Sequence, residues 1–580
     1  MLISMELYLK ALLFSLVLFA VSWRGNAEGL RYYEELYVRP LLDGKVMNHF
    51  VFTTQWDVSP EMLSRSAVNA EFHYDIFPKP IGQIIQTYGV QEFHLSLTRG
   101  RWKTRLWGYP PLFTPPGTEA WAWFLPGFGT YTHWKGLVNS LSGLLCTSLS
   151  SIDVSSTYRP SHSFMSSTAL IGNISSLQLY YAAMPWETVC TENLTPWKKL
   201  LPCEAKAGLA QLLLADKLFN NLYHSLGLHL VTNCLDEGCT NVGLQLQMTL
   251  TLVHNPTTLN DVTEWSLQQQ YGTRLKSSCP LATASTVYID STGSKEVAVE
   301  YNVKPSTNLT MRHGDTEWAM YNLTFHKGER VNLNTALTWK SKETVNHPLP
   351  VVDVMSYITG SGHEWGGLVV QLCNRHPTES VNTWLLSMVP WFVRLYYHTM
   401  TVTIDGSSHT KEEVISYQVY TPAKDRTRPH TLEMMMSLPA HSTVTISIEF
   451  RRALLKWTEY PPDAHHGFYI NSATVTTLLP LDYSNVTLLP HQWHQLKGYH
   501  SDQPHRSVVR IYSEPILVTL STPDFSMPYN VICFVCTIVA IGFGSLYNLS
   551  IKDLKPASSS DERLIVRIWK RLKKLFVSKT

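Results

Sequence analysis

"ELYVRPLLDGKVMNHFVFTTQW", residues 35–56, carries the pattern on which the fold turns. Apolar and polar residues alternate over short runs on both sides of Asp43-Gly44, the period of half-buried strands broken by a turn dipeptide. Downstream, "PKPIGQIIQTYG" (78–89) reads as a short helix opened by proline, and "QEFHLSLTRGRWKTRLWGYPP" (91–111) returns to strand. The glycine- and proline-rich runs "YPPLFTPPG" and "LPGFGT" mark loops on either side of "TEAWAWF". "HWKGLVNSLSGLLCTSL" (133–149) repeats Trp134, Leu137, Leu141, Leu144 and Leu145 at helical spacing, with Cys146 beside that face. The run richest in helix formers is "EAKAGLAQLLLADKLFNNLYHSL" (204–226), which predicts the longest helix of the body.

Strand patterns prevail from there. "LQLQMTLTLV" (244–253), "STVYIDSTGSKEVAVEYNV" (285–303) and "YNLTFHKGERVNLNTALTWK" (321–340) alternate, the second reading as a hairpin across Ser291–Ser294. After "NHPLPVVD", "VRLYYHTMTVTI", "EVISYQVYTPA", "LEMMMSLPAHSTVTISIEF" and "VVRIYSEPILVTL" follow with proline- and asparagine-rich turns, as in β-sandwiches. The fold class expected is mainly β with an α/β N-terminal part, sandwich-like domains and one C-terminal transmembrane helix.

That last element is "TPDFSMPYNVICFVCTIVAIGFGSLYNL" (522–549), with no charged side chain between Asp524 and Lys552 in a chain whose mean hydropathy is only −0.07. About 20 apolar residues in helix cross a hydrocarbon core of roughly 30 Å. The segment after it holds nine Lys or Arg against three Asp or Glu. A basic flank stays cytosolic, which puts the body on the other side. The N-terminal residues agree: one Lys10, an apolar run from Ala11 to Val21 and small residues near Ala27 read as a secretory signal peptide. The expected organisation is a signal peptide at 1–27, a mixed α/β lumenal region at 28–235, a β-rich region at 236–350, a sandwich-like domain at 351–522, a span at 526–548 and a basic cytosolic tail at 549–580. In that tail "DERLIVRIWKRLKKLF" separates Leu564, Ile568, Leu572 and Leu575 from Arg567, Lys570, Arg571 and Lys574, the layout of a helix lying on an anionic leaflet.

The chain carries 47 Lys and Arg against 45 Asp and Glu, so with the tail set aside the body is near neutral and has no electrostatic footprint for nucleic acid. On the secretory side the sequons at Asn173, Asn193, Asn308, Asn322 and Asn485 become candidate glycan carriers. Asn530, Thr537, Gly542, Gly544 and Ser545 are the small or polar positions of the span, suited to close packing against other helices. Seven cysteines precede the span: Cys146, Cys190, Cys203, Cys234, Cys239, Cys279 and Cys373. In an oxidising compartment disulfides are the default, and an odd number leaves a thiol free or bonded to another chain. Cys533 and Cys536 have redox-motif spacing but sit within the apolar span, where packing is their role.

No catalytic motif is legible in the chain. "GSGHEWGG" (360–367) lacks the second histidine of a zinc hydrolase and reads as a turn. No nucleophile elbow is present. His491, His494, His500 and His505 are near one another, as are His465 and His466, in a chain of 23 histidines, without the cysteines or carboxylates of a metal site. No catalytic residue, metal or cofactor is expected. Eighteen Trp, several in runs such as "AWAWF" and "LLKWTEYPPDAHHGFYI", each read singly as core, and it is the anchored ectodomain without catalytic groups that makes partner binding the default.

Three long segments, "VCTENLTPWKKLLPCEAKAGLAQLL" (189–213), "RALLKWTEYPPDAHHGFYI" (452–470) and "TPDFSMPYNVICFVCTIVA" (522–540), closely resemble the PIG-T family of glycosylphosphatidylinositol (GPI) transamidase subunits. The resemblance runs from about Glu34, through "FHLSLTRGRWKTRLWGYPP" and "CPLA" at Cys279, to the span, and weakens over 291–349 and the last 30 residues. It implies a noncatalytic subunit of an endoplasmic reticulum complex that replaces a proprotein's C-terminal signal with a GPI lipid. The chemistry is then carried by the caspase-like subunit PIG-K, with GPAA1, PIG-S and PIG-U as further partners. It also implies an interchain disulfide to the protease subunit from Cys190, with Cys203 the nearby alternative. A type I receptor or adhesion ectodomain is the competing reading from the residues alone.

Overall fold

The computed structural model describes most of residues 30–551, with 566–571 and 573–574; the longest stretches outside the description are 1–29, 59–73, 165–176, 479–507 and 552–565. The Asp43-Gly44 turn closes as the alternation requires, joining strand β1 (Leu30–Pro40) to β2 (Val46–Val58) with Leu30 opposite Trp56 and Pro40 opposite Val46. Gly44 supplies the positive φ, 76°, that the turn needs.

Eight more strands extend this hairpin: β3 (Val90–Arg99), β4 (Gly117–Phe124), β5 (Gln178–Met184), β6 (Tyr223–Cys234), β7 (Val242–His254), β8 (Ala284–Asp290), β9 (Thr310–His313) and β10 (Thr316–Asn322). Their order is β9-β10-β8-β1-β2-β7-β6-β3-β4-β5, and every pair is antiparallel but β1 with β8. Strands β6 and β7 pair from Tyr223–Val253 to Cys234–Val242, so the expected boundary between 235 and 236 falls between two adjacent strands of one sheet.

One face of the sheet is apolar by alternation: Phe50, Phe52, Phe93, Leu95, Leu97, Leu226 and Leu228 are all buried there. Three helices cover it, α1 (Lys79–Tyr88), α2 (Tyr131–Leu145) and α3 (Thr191–Lys199). Helix α1 begins with the expected proline and ends at Gly89 in the left-handed conformation, with Ile81, Ile84 and Ile85 buried. Helix α2 buries Trp134, Leu137, Leu141 and Leu145 of the stripe read from its spacing, with Leu144 partly buried at its edge. Full burial of each such side chain contributes about 1.5–3 kcal/mol, so this shared core dominates the stability of the N-terminal half.

Two sequence expectations fail. Residues 204–226 do not form a long helix: a turn follows Cys203, Leu209–Leu212 is a 3-10 turn, Ala215–Leu218 a single helical turn, and from Tyr223 the chain is strand β6. Cys203 is bonded to Cys279. Gly208 adopts φ 74° against the Glu34 carboxylate, where a Cβ would collide. The N–H of Leu209 donates to that carboxylate at 3.1 Å. A helix propensity of a few tenths of a kcal/mol per residue is outweighed by a disulfide, a buried charged hydrogen bond and a sheet ladder. The hairpin expected over 285–303 also fails, because β8 has both edges filled, by β1 and β10. Its outgoing residues Asn302–Lys304 pair instead with Ala336–Lys340 in a separate small sheet.

The C-terminal half is built on two antiparallel sheets, with a two-stranded ribbon of Phe468–Ile470 and Ile516–Val518 beside them. One runs β11 (Val352–Thr359), β12 (Trp365–Asn374), β18 (Ser442–Arg452), β14 (Thr401–Ile404), β15 (Ser407–His409); the other runs β16 (Ile415–Thr421), β17 (His430–Leu438), β13 (Val381–Val389), β19 (Thr474–Leu478), β20 (Val508–Tyr512). "GSGHEWGG" leaves β11 at Gly360, with φ 88°, and its last three residues, Trp365–Gly367, already belong to β12. Val444, Ile446, Ile448 and Phe450 on β18, and Leu432, Met434, Met436 and Leu438 on β17, are the buried alternate positions. One buried face per sheet is the sandwich pattern.

The opposite face of β4 and β5 packs on this half. Trp121, Trp123, Leu179 and Tyr181 form a cluster with Tyr158, Phe164, Leu386 and Met388. Two carboxylates stitch the seam. Glu433, on β17, accepts the N–H groups of Ser161, His162 and Ser163 at 3.0, 2.8 and 2.6 Å and the Ser163 hydroxyl at 2.6 Å. Glu119, on β4, accepts the hydroxyls of Tyr181 and Tyr512, each at 2.9 Å. Burial pushes the Glu119 carboxyl up to about 7, against the opposing pull of Arg510 and the two tyrosines. Arg510 itself lies over the rings of Trp121 and Phe164, 5.1 and 4.1 Å from their centroids.

Leu455–His465 and Ser521–Thr580 form a second unit. Its main element is helix α4, Ser526–Ile551, 26 residues containing an 18-residue stretch of mean hydropathy 2.0, with no side chain buried and long enough to cross a membrane. The expected span of 526–548 lies within it. Residues 566–571 of the tail are helical, and the residues expected as the signal peptide lie outside the description.

Both carboxylates yield predictions. Replacing Glu433 with Ala leaves three N–H groups without their acceptor, at about 1–3 kcal/mol of local stability. Hydrogen exchange in the peptide holding Ser161–Ser163 is expected to accelerate about 5- to 100-fold, and unchanged protection would refute the clamp. For Glu119, the unfolded chain releases its proton near 4.5 and the folded chain near 7. Its contribution to stability is therefore present below about 4.5 and lost as pH rises through about 7, on the order of 3 kcal/mol. Glu119→Gln is expected to be relatively more stable against the parent at pH 8 than at pH 5. A melting-temperature difference that does not change with pH would contradict this.

Candidate functional site

Three cysteines before the span are unbonded among the described residues: Cys146 and Cys190, both exposed, and Cys373, partly buried within β12. Cys203 is paired with Cys279, with Cα atoms 6.0 Å apart and both residues in the apolar core. The alternative that gave Cys203 an interchain bond is thereby corrected.

Cys146 and Cys190 occupy one corner of the structure. Helix α2 ends at Leu145, and Cys146 caps it at φ 53° with its N–H on the Ser142 carbonyl. Helix α3 begins after Cys190, which is its extended N-terminal cap. Asn193, in the first turn of α3, joins the two. Its side-chain amide donates to the carbonyls of Leu145 at 3.0 Å and Cys146 at 2.8 Å. Its side-chain oxygen accepts the Cys190 N–H at 2.8 Å and lies 3.4 Å from the Cys190 sulfur. Every polar atom of this amide is engaged, and Asn193 is only 4% exposed. The reading of Asn193 as a glycan carrier is corrected accordingly: its nitrogen is inside the fold, spent on two carbonyls.

The rest of α3 anchors the corner. Trp197 is buried, its indole N–H donating to the Gly227 carbonyl at 3.1 Å and its ring edge-on to Phe52 at 6.0 Å. Lys198 donates to the Leu213 carbonyl at 2.8 Å, and burial pushes its ammonium pKa down. The thiol of Cys190 thus projects from a backbone held on two sides, with Trp186 half exposed four residues before it. An open groove of about 740 Å³ lies along the outer edge of α3, lined by Lys79, Leu144, Pro196, Lys199, Glu204 and Leu281. Chemically this is an exposed cysteine on a backbone held by hydrogen bonds, open to a covalent bond with a second macromolecule.

The other candidates are dispersed. Asn322 ends β10 half-buried, its oxygen accepting the Thr324 N–H at 2.9 Å, while Asn173, Asn308 and Asn485 lie outside the described residues. Asn530, Thr537, Gly542, Gly544 and Ser545 all fall on α4, where Thr537 turns its hydroxyl back to the Cys533 carbonyl at 2.7 Å. No group of three or more His, Cys, Asp or Glu among the described residues is placed to hold a metal. His491, His494, His500 and His505 are outside them, and His466 bonds the Tyr469 hydroxyl at 3.1 Å. Asn193 and Cys146 were missed as members of the corner. The available signal was the Cys-x-x-Asn spacing, which sets a cap against the third residue of a helix.

Comparison with known proteins gives the corner its setting. A family model described as "Gpi16 subunit, GPI transamidase component" matches residues 13–264 and 255–577. The chain is 42% identical over 561 residues to the GPI-anchor transamidase component PIGT of Mus musculus, covering 94% of each. It is 43% identical to the human component PIGT over 529 residues and 89% of each chain. To the GPI transamidase component GPI16 of Saccharomyces cerevisiae it is 30% identical over 572 residues, 92% of this chain and 90% of that one. With the match continuous from the first strand through the span, the chain belongs to the Gpi16/PIGT family of GPI transamidase components.

Proposed function

We propose that this chain is the noncatalytic scaffold of a GPI transamidase complex in the endoplasmic reticulum membrane, and that Cys190 bonds it to the caspase-like subunit PIG-K. The observation that carries the reading is the exposed Cys190 sulfur on an immobilised helix cap, in a chain of this family. A disulfide to another chain needs a thiol that is accessible and whose backbone does not have to be ordered on binding. The assembly would also hold GPAA1, PIG-S and PIG-U, with GPI lipid and proprotein as substrates of the whole. The orientation is single-pass type I, body in the lumen and basic tail in the cytosol, supported by the charge asymmetry around α4. Asn173, Asn308, Asn322 and Asn485 remain as glycan carriers. Asn530, Thr537, Gly542, Gly544 and Ser545 would pack α4 against neighbouring spans.

Membranes carrying Cys190→Ser should lose the reducible heterodimer band on a nonreducing gel, while Cys146→Ser should retain it. Persistence of the band in Cys190→Ser would sink the assignment. Exchanging 526–551 for an unrelated apolar helix should reduce recovery of the other subunits with the tagged chain. Undiminished recovery and anchor attachment would make α4 a plain tether.

A further inference from the structure

The second unit pairs the span with a loop from far upstream, Leu455–His465. The Tyr460 hydroxyl donates to the Ser521 carbonyl at 2.6 Å, five residues before α4 begins. The root of α4 is itself capped, Asp524 accepting the Ser526 N–H at 2.8 Å. Trp457–Glu459 is one 3-10 turn, closed by Glu459 accepting the Lys456 N–H at 2.8 Å. The Trp457 side chain is 51% exposed, and Lys456, Thr458 and Pro461 beside it are exposed as well.

We propose that this loop is a second membrane contact, with the Trp457 ring seated in the headgroup layer of the leaflet that α4 enters. The distances permit it. A helix of 26 residues is about 39 Å long, some 9 Å more than the roughly 30 Å hydrocarbon core, so its first turn already stands among headgroups. Five residues reach at most about 17 Å, and Ser521 is therefore near that layer. Tyr460 is bonded to Ser521, and Trp457 lies one 3-10 turn, about 6 Å, from Tyr460. An indole combines an apolar body with one N–H donor, which is why tryptophan gathers at membrane interfaces. The neighbouring Lys456 ammonium matches lipid phosphate. An exposed tryptophan on a turn fastened to the root of a span has the bilayer surface as its nearest apolar environment. The inference rests on α4 crossing the membrane and is independent of the Cys190 assignment.

Photocrosslinking tests it in the full chain. p-Benzoylphenylalanine at position 457, irradiated in microsomes whose phosphatidylcholine is radiolabelled, is expected to give at least tenfold more lipid adduct than the same probe at exposed Val154. Equal yields at the two positions, or adducts at 457 only with protein, would overturn the proposal. Tyr460→Phe removes the fastening hydroxyl and is expected to lower the lipid adduct from 457 several-fold. An unchanged yield would overturn the fastening.

Discussion

The ten-stranded sheet has to be covered on both faces, and the rest of the body follows from how that is done. Its apolar face takes α1, α2 and α3 into one core. Its other face, over β4 and β5, takes the C-terminal sheets through an aromatic cluster in which Glu119, Glu433 and Arg510 are the polar members. Carboxylates are costly to bury unless every lone pair is used. Glu433 has four donors, whereas Glu119 has one tyrosine hydroxyl on each oxygen beside a guanidinium, a partial compensation that leaves its carboxyl pushed up to about 7. Such contacts are directional, so they hold the two halves in one register where an apolar seam alone would allow sliding.

The same sheet places the exposed thiols. Helix α3 can present Cys190 only because Trp197 is sunk beneath it against Phe52 and Gly227, and because Asn193 ties its first turn to the end of α2. A scaffold needs this division between an immobile base and a reactive surface.

The span poses a different physical problem. α4 is exposed along its whole length, and its apolar side chains require lipid or other helices as their surroundings. Its small residues allow close packing, and Thr537 satisfies its hydroxyl on its own helix. The loop 455–465 is fastened near the base of the span by the Tyr460 hydroxyl on the Ser521 carbonyl.

What the sequence by itself determined was whatever depends on near neighbours or on long ordered likeness. The Asp43-Gly44 hairpin, the α1 and α2 stripes, the uncharged span, the odd cysteine and the family all belong there. Tertiary structure alone decided the fate of 204–226, where local propensity lost to Cys279, 76 residues away, and to the Glu34 carboxylate. It likewise decided that β8 pairs with β1 across about 250 residues of chain, and that Cys203 is spent within the fold while Cys190 is not. A sequon reads the same whether its asparagine faces water or, like Asn193, caps two helices at once. The difference lies in which groups a distant segment brings within hydrogen-bonding reach, and no local pattern encodes that.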